Sequence, residues 1–170
     1  MSFNSAKFQG VMLSCLVSGL ILSPVLALPG RVAALVPANL LAQNQTAMDY
    51  YEEGVRLYES GDIAGAAAAF RQAVASDGNL AEAHANLGSI LANEDRFAEA
   101  IPLFETAIRL KPNLAVFHYQ LGAALFLNNQ TDVAIKELET ARNLLQEQGK
   151  VEEANTINRA LEQIMNLQSN

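Results

Sequence analysis

The chain has 170 residues, with 18 acidic against 11 basic side chains and a net charge of −7, a length that suits one domain. That balance argues against a phosphate-binding surface, which rests on clustered Lys and Arg, and it favours neutral or basic partners. The one cysteine, Cys15, falls inside a hydrophobic leader, so the folded part has no disulfide, thiol nucleophile or thiolate metal site.

Met1 to Gly10 is polar with Lys7 as its single charge, and Val11 to Leu28 then runs 18 residues without one. A cationic start followed by an apolar run reads as an export signal. Small-residue cleavage patterns end at Ala27, Ala38 and Ala42, and the change to Gln43-Asn44-Gln45 puts the mature start near residue 43. The alternative is an uncleaved membrane anchor. Its helix would span roughly 27 Å, just enough for a thin hydrocarbon core, although Pro24 and Pro29-Gly30 break helices. In either case the remainder is expected outside the cytoplasm, in a bacterial periplasm or an equivalent space, with the positive N-terminus inside. Residues 1–42 hold Lys7, Arg31 and no acid, so without them the net charge moves from −7 to about −9.

Beyond the leader the chain repeats itself. Gly54, Gly88 and Gly122 lie 34 residues apart, and so do Ala47, Ala81 and Ala115. The same interval links Ala66, Ala100 and Ala134, then Phe70, Phe104 and Leu138, then Ala73, Ala107 and Ala141, and also Leu57, Leu91 and Leu125. A fixed period of this size marks stacked supersecondary units. Each unit carries two apolar stretches of helical period separated by a polar turn. In chain order the expected helices are Thr46 to Ser60, Ile63 to Ala75, Ala81–Asn93, Phe97–Leu110, Ala115–Asn128, Thr131–Gln148 and Val151 to Leu167. Gly61-Asp62 breaks the first pair, while Gly78-Asn79 and Pro112-Asn113 mark turns between units.

A glycine inside a helix costs about 1 kcal/mol against Ala. Close approach of a partner helix at the Ala66, Ala100 and Ala134 series would account for it, with Phe70, Phe104 and Leu138 filling the wider gap. Pro102 is expected in the first turn of a helix starting near Ala98, where N–H groups lack intrahelical partners.

These residues resemble the tetratricopeptide repeat family, whose unit is a 34-residue helix–turn–helix. The middle repeat, AEAHANLGSILANEDRFAEAIPLFETAIRLKPNL, follows the family pattern throughout. The first departs at Glu53, where Leu87 and Leu121 stand in the others, and has Gly78 for the expected proline; the third has Gln146 in place of its closing proline. The resemblance implies an all-α, right-handed solenoid of about seven helices after a leader of residues 1–42. Its repeats would cover about 47–80, 81–114 and 115–148 within a domain of residues 43–170. The last stretch, about 151–167, resembles the second helix of a repeat that is otherwise missing. Its polar outer positions, Glu152, Glu153, Asn158 and Gln163, suit a helix that caps a solenoid end.

Chemistry is sparse. His84 and His118 occupy equivalent places in successive repeats, with Tyr50 at that place in the first. Packed helices lie roughly 10 Å apart, too far for both rings to bind one ion at about 2 Å, so core packing is expected. Glu52-Glu53, Glu94-Asp95 and Glu152-Glu153 are adjacent pairs, which do not face each other on a helix and make no acid–base dyad. No phosphate loop, nucleophile elbow or metal-ligand spacing occurs in the repeats. No catalytic residue, cofactor or metal is therefore assigned, and an enzyme is the alternative with no constellation behind it. Asn44-Gln45-Thr46 and Asn129-Gln130-Thr131 match the N-glycosylation pattern, which matters only in a eukaryotic secretory route.

In the resembled family, partners bind a concave groove formed mainly by the first helix of each repeat. The resemblance places Met48, Tyr51, Val55 and Tyr58 there from the first repeat. It adds Glu82, Ala85, Asn86, Ser89 and Asn93 from the second, and Val116, Tyr119, Ala123, Phe126 and Leu127 from the third. Of the family's carboxylate-clamp positions only Asn86 matches, because Tyr51, Val55, Val116 and Gln120 stand at the others. A chaperone tail is accordingly not expected. The groove reads as apolar and aromatic at both ends, which suits an amphipathic helix or an extended apolar peptide. Two other occupants stay open: the chain's own segment Arg31 to Ala42, and a second copy through self-association. The expected function is a non-enzymatic exported adaptor or scaffold that holds a partner polypeptide. A membrane-tethered assembly factor for a membrane protein complex is the alternative. Nucleic acid is not an expected partner, and membrane contact would come only through residues 11–28 if they are retained.

Overall fold

The computed structural model describes residues 38–168. The leader from Met1 to Pro37, with Cys15 and the apolar run from Val11 to Leu28, lies outside them. Seven helices and no strand are present among the described residues: α1 Ala38–Glu59, α2 Ile63–Ser76, α3 Ala81–Asn93, α4 Phe97–Leu110, α5 Ala115–Leu127, α6 Thr131–Glu147 and α7 Val151–Gln168. None of these is long and apolar enough to cross a membrane.

The turns repeat as faithfully as the helices. Gly61, Asp95 and Asn129, again 34 residues apart, adopt φ values of 88°, 60° and 62°. This left-handed position lets the chain reverse within three residues, and Gly, Asp and Asn are the residues that tolerate it. Asp62 then caps α2 by accepting the Gly65 N–H at 2.8 Å. Between repeats, the Asp77 carboxylate accepts the Asn79 N–H at 2.9 Å, a side-chain turn that competes with helix continuation.

Helices pair as α1 with α2, α3 with α4 and α5 with α6, and each second helix also packs on the next first helix. The first helices α1, α3 and α5 therefore share one layer, with α3 touching α5 directly. The core between layers is built from the repeating series: Ala66, Phe70, Ala73, Ala100, Phe104, Ala107, Ala134, Leu138 and Ala141 are all buried. Among the described residues the architecture is an all-α helical-repeat solenoid.

Four details differ from the sequence expectation. First, α1 begins at Ala38, eight residues before Thr46, and runs across the expected mature start near residue 43. Nothing from Ala38 to Gln45 breaks a helix. Residues 38–42, assigned above to a segment that could fill the groove, instead extend α1.

Second, at Gly54 and Gly88 the bulky series and not the alanines presses on the glycine, whereas at Gly122 Leu138 and the Ala134 backbone both do. A Cβ on Gly54 would lie 2.6 Å from Phe70 Cε1, and one on Gly88 would lie 2.9 Å from Phe104 Cε1. The ring lies across the bare backbone because only there can two helices enclose it without a gap.

Third, Pro102 is the sixth residue of α4, beyond the first turn. It leaves the Ala98 carbonyl without an N–H partner four residues on. Both residues are exposed, so solvent can satisfy that group, and the Pro102 carbonyl itself accepts the Thr106 hydroxyl at 2.9 Å.

Fourth, α7 takes the place of a first helix and not a second. It packs on α6 as α3 packs on α2 and α5 on α4. Its Ile157, Leu161 and Ile164 form one cluster with Tyr119, Leu138 and Ala141. The reason is connectivity: Gly149, at φ 73°, turns the chain immediately after a second helix, and the vacant position beside it is the next first-helix slot.

The histidines also do more than fill space. The ring Nε2 of His84 donates to the Gly78 carbonyl at 3.0 Å, and that of His118 donates to the Pro112 carbonyl at 2.8 Å. Each ring thereby ties its helix to the turn six residues earlier. His118 Nδ1 also pairs with Glu137 Oε2 at 2.8 Å, joining α5 to α6.

Candidate partner-binding face

The face of α1, α3 and α5 turned away from the second helices is the surface on which the predicted residues fall. On α1 the helical period brings Met48, Tyr51, Val55 and Tyr58 to one side, with Glu52 and Glu59 on the same stripe at spacings of three, four and seven. The same register gives Glu82, Asn86, Ser89 and Asn93 on α3, and Val116, Gln120, Ala123 and Leu127 on α5.

The structure sorts these side chains by access. Met48 is 38% exposed. Tyr51, Val55, Tyr58, Glu82, Asn86, Asn93, Val116, Phe126 and Leu127 are half-buried. Ala85, Ser89, Tyr119 and Ala123 are buried. Tyr119, at 8% exposure, packs against α7, and Ala85 packs against Phe117 and Ala107. These four contribute to helix–helix contacts and offer a partner little surface.

Polar groups tie successive first helices together across the face. The Tyr51 hydroxyl and the Asn86 side chain share a hydrogen bond between α1 and α3. Burial, reinforced by the nearby Glu82 carboxylate, raises the Tyr51 phenol above its ordinary value, and the Asn86 bond partly opposes this. Burial also raises Tyr58. Glu82 is ion-paired with Lys111. Farther along, Gln120 Nε2 donates to Ser89 Oγ at 2.8 Å, and that hydroxyl donates to the Ala85 carbonyl at 2.9 Å. Asn86, the one match to a carboxylate clamp, is thus engaged with a neighbouring helix.

The expectation of a face apolar and aromatic at both ends is corrected at each end. At the third repeat Tyr119 is covered by α7, which leaves Val116, Phe126 and Leu127 as the accessible apolar part. At the first repeat Glu52 and Glu59 are exposed on the stripe beside Met48 and Val55. Sequence reasoning missed both carboxylates. The signal was available in their spacing, since Glu52 stands four residues after Met48 and Glu59 four after Val55.

Two tetratricopeptide-repeat family models match the chain, over residues 51–115 and 91–154. No curated protein matches it in sequence. Among solved structures, the complex of the TPR2B domain of yeast Sti1 with pHsp70 is similar at 21% identity and a TM-score of 0.67, covering 72% of this chain and 98% of that one. The Yersinia enterocolitica type III secretion chaperone SycD, in complex with a peptide of the translocator YopD, is similar at 19% identity and a TM-score of 0.67, covering 74% and 96%. The first TPR of Spaghetti bound to the HSP90 peptide SRMEEVD is similar at 22% identity and a TM-score of 0.60, covering 70% and 95%. At these identities the likeness carries the fold. The 34-residue turn geometry, the ring-over-glycine packing and the matches spanning residues 51–154 agree, and the chain belongs to the tetratricopeptide repeat family.

Proposed function

We propose that this protein is a non-enzymatic adaptor whose α1–α3–α5 face holds a segment of a partner polypeptide. The observation that carries the reading is the accessible apolar stripe of Met48, Val55, Val116 and Leu127 on helices whose opposite sides are committed to the core. Apolar side chains that are only partly covered by the core, on a surface without basic groups, suit a peptide's apolar residues. The similar structures with bound peptides support this use of the fold. The apolar run of residues 11–28 supports export, and a membrane-tethered assembly role is the reading if that run is retained. An intact mass that still includes Met1 would rule out cleavage.

Photo-crosslinking tests the groove. With a photoreactive residue at Met48 or Val116, a discrete adduct with a host protein is expected, and none is expected from Arg71 or Glu105, which are exposed on the second helices. Adducts from the second-helix positions alone would sink the assignment.

A further inference from the structure

The proposed groove is electrically lopsided. At three equivalent register positions of this face, the first repeat carries Met48, Glu52 and Glu59, the second Glu82, Asn86 and Asn93, and the third Val116, Leu127 and the buried Gln120. No Lys or Arg occurs at any of them. Glu82 is already neutralised by Lys111, whereas Glu52 and Glu59 are exposed and take part in no ion pair among the described residues. The face therefore runs from two free carboxylates on α1 to an apolar, uncharged end on α5.

These carboxylates do not serve the fold. Glu59 is the last residue of α1, where the negative end of the helix dipole disfavours an acid. Arg56 lies four residues after Glu52 and three before Glu59, but its guanidinium pairs with Glu53. Beside them stand the half-buried Tyr51 and Tyr58, packed against the core.

We infer that the partner segment is a basic amphipathic one, with Lys or Arg lying over α1 and apolar residues lying over α5. This rests on the groove reading above and adds the charge and direction of the occupant. It sets this chain apart from the Spaghetti structure, whose bound peptide, SRMEEVD, is acidic at its C-terminal half. Here the clamp positions supply no cation, and Asn86 is tied to Tyr51.

The test uses the full chain and two fluorescein-labelled helical peptides with the same leucine stripe. One carries three lysines near one end, and the other carries three glutamates in their place. By fluorescence anisotropy at low salt the lysine peptide is expected to bind at least tenfold more tightly, with the preference shrinking as salt rises through the screening range. The double variant Glu52→Gln/Glu59→Gln is expected to weaken the lysine peptide by roughly three- to tenfold, as for two exposed ion pairs. It should leave the melting temperature and the glutamate peptide's affinity unchanged. Equal or tighter binding of the glutamate peptide, or indifference to the double variant, overturns the inference while the groove reading survives. If neither peptide binds, both fall together.

Discussion

Removal of residues 151–170 is expected to lower the stability of the protein by a few kcal/mol and to make it self-associate. The α7 helix buries Ala154, Ile157, Leu161 and Ile164, and three of these are large aliphatic side chains worth about 1.5–3 kcal/mol each on burial. Ordering the helix offsets much of that gain. The larger consequence falls on what α7 covers. Tyr119, Leu138 and Ala141 belong to the same cluster, and truncation would open an apolar strip along α5 and α6 that has no other lid. Such strips associate in water. The outer side of α7 carries the exposed polar side chains Glu152, Glu153, Asn155, Arg159, Glu162 and Gln163, with exposed Val151, Met165 and Leu167 towards its two ends.

Urea melts and sedimentation velocity check this. The truncated chain should unfold at lower urea and sediment as mixed oligomers. A monodisperse truncation with an unchanged midpoint would show that α7 is not the cap. Leu161→Asp provides the same test in the full-length chain, because it places an unpaired charge at a site 4% exposed. Either change would also free Tyr119, so partner capture should shift as well as stability. A control on the α1 end, where Tyr51 sits, distinguishes loss of fold from a rebuilt groove.

The parts of this molecule that recur three times were readable from the sequence. Ala81–Asn93 and Phe97–Leu110 fall where the period and turn residues put them, because each position is constrained in phase by its two equivalents. The ends, which have an equivalent on one side only, were harder to read. An amphipathic stripe such as Ala154, Ile157, Leu161 and Ile164 suits a first or a second helix equally well. Only the packing order, fixed by what precedes it, assigns α7 its slot. The start of α1 was missed for a related reason: the stretch after Pro37 has no breaker, and a signal for a mature terminus says nothing about where a helix begins. At the candidate site, Tyr51, Ala85 and Tyr119 are equivalent in sequence but not in access. Tyr51 is half-buried with its hydroxyl bonded to Asn86, and Tyr119 is buried under α7. Glu52 reads in sequence only as one of an adjacent acidic pair, and the register of the first-helix layer is what sets it beside Glu59 with Arg56 committed to Glu53.

Gly54→Ala and Gly88→Ala are each expected to destabilise the protein by about 1–3 kcal/mol, the usual cost of overpacking a filled core. Helix propensity by itself gives the opposite sign, a gain of about 1 kcal/mol from replacing a mid-helix glycine, so the direction of the change decides between the two effects. The case for overpacking is geometric. The added methyl of Gly54→Ala would meet Phe70 Cε1 at 2.6 Å and Cδ1 at 2.7 Å, and that of Gly88→Ala would meet Phe104 Cε1 at 2.9 Å and Cζ at 3.1 Å. Neither ring can swing out of the way, since Phe70 is 1% and Phe104 0% exposed. In the third repeat Leu138 stands in the ring's place, yet a methyl on Gly122 would still meet Leu138 Cγ at 2.8 Å and the backbone oxygen of Ala134 at 3.1 Å. Backbone cannot yield as a side chain can, so Gly122→Ala should cost a comparable amount with no aromatic ring involved. A double-mutant cycle makes the contact itself the measured quantity. Phe104→Leu alone leaves a small cavity and lowers stability, but in the Gly88→Ala background it removes ring atoms from the path of the new methyl and should recover part of the loss. Urea midpoints for the four proteins of the cycle give the coupling. Additive losses would mean that the glycine is kept for some reason other than the ring lying across it.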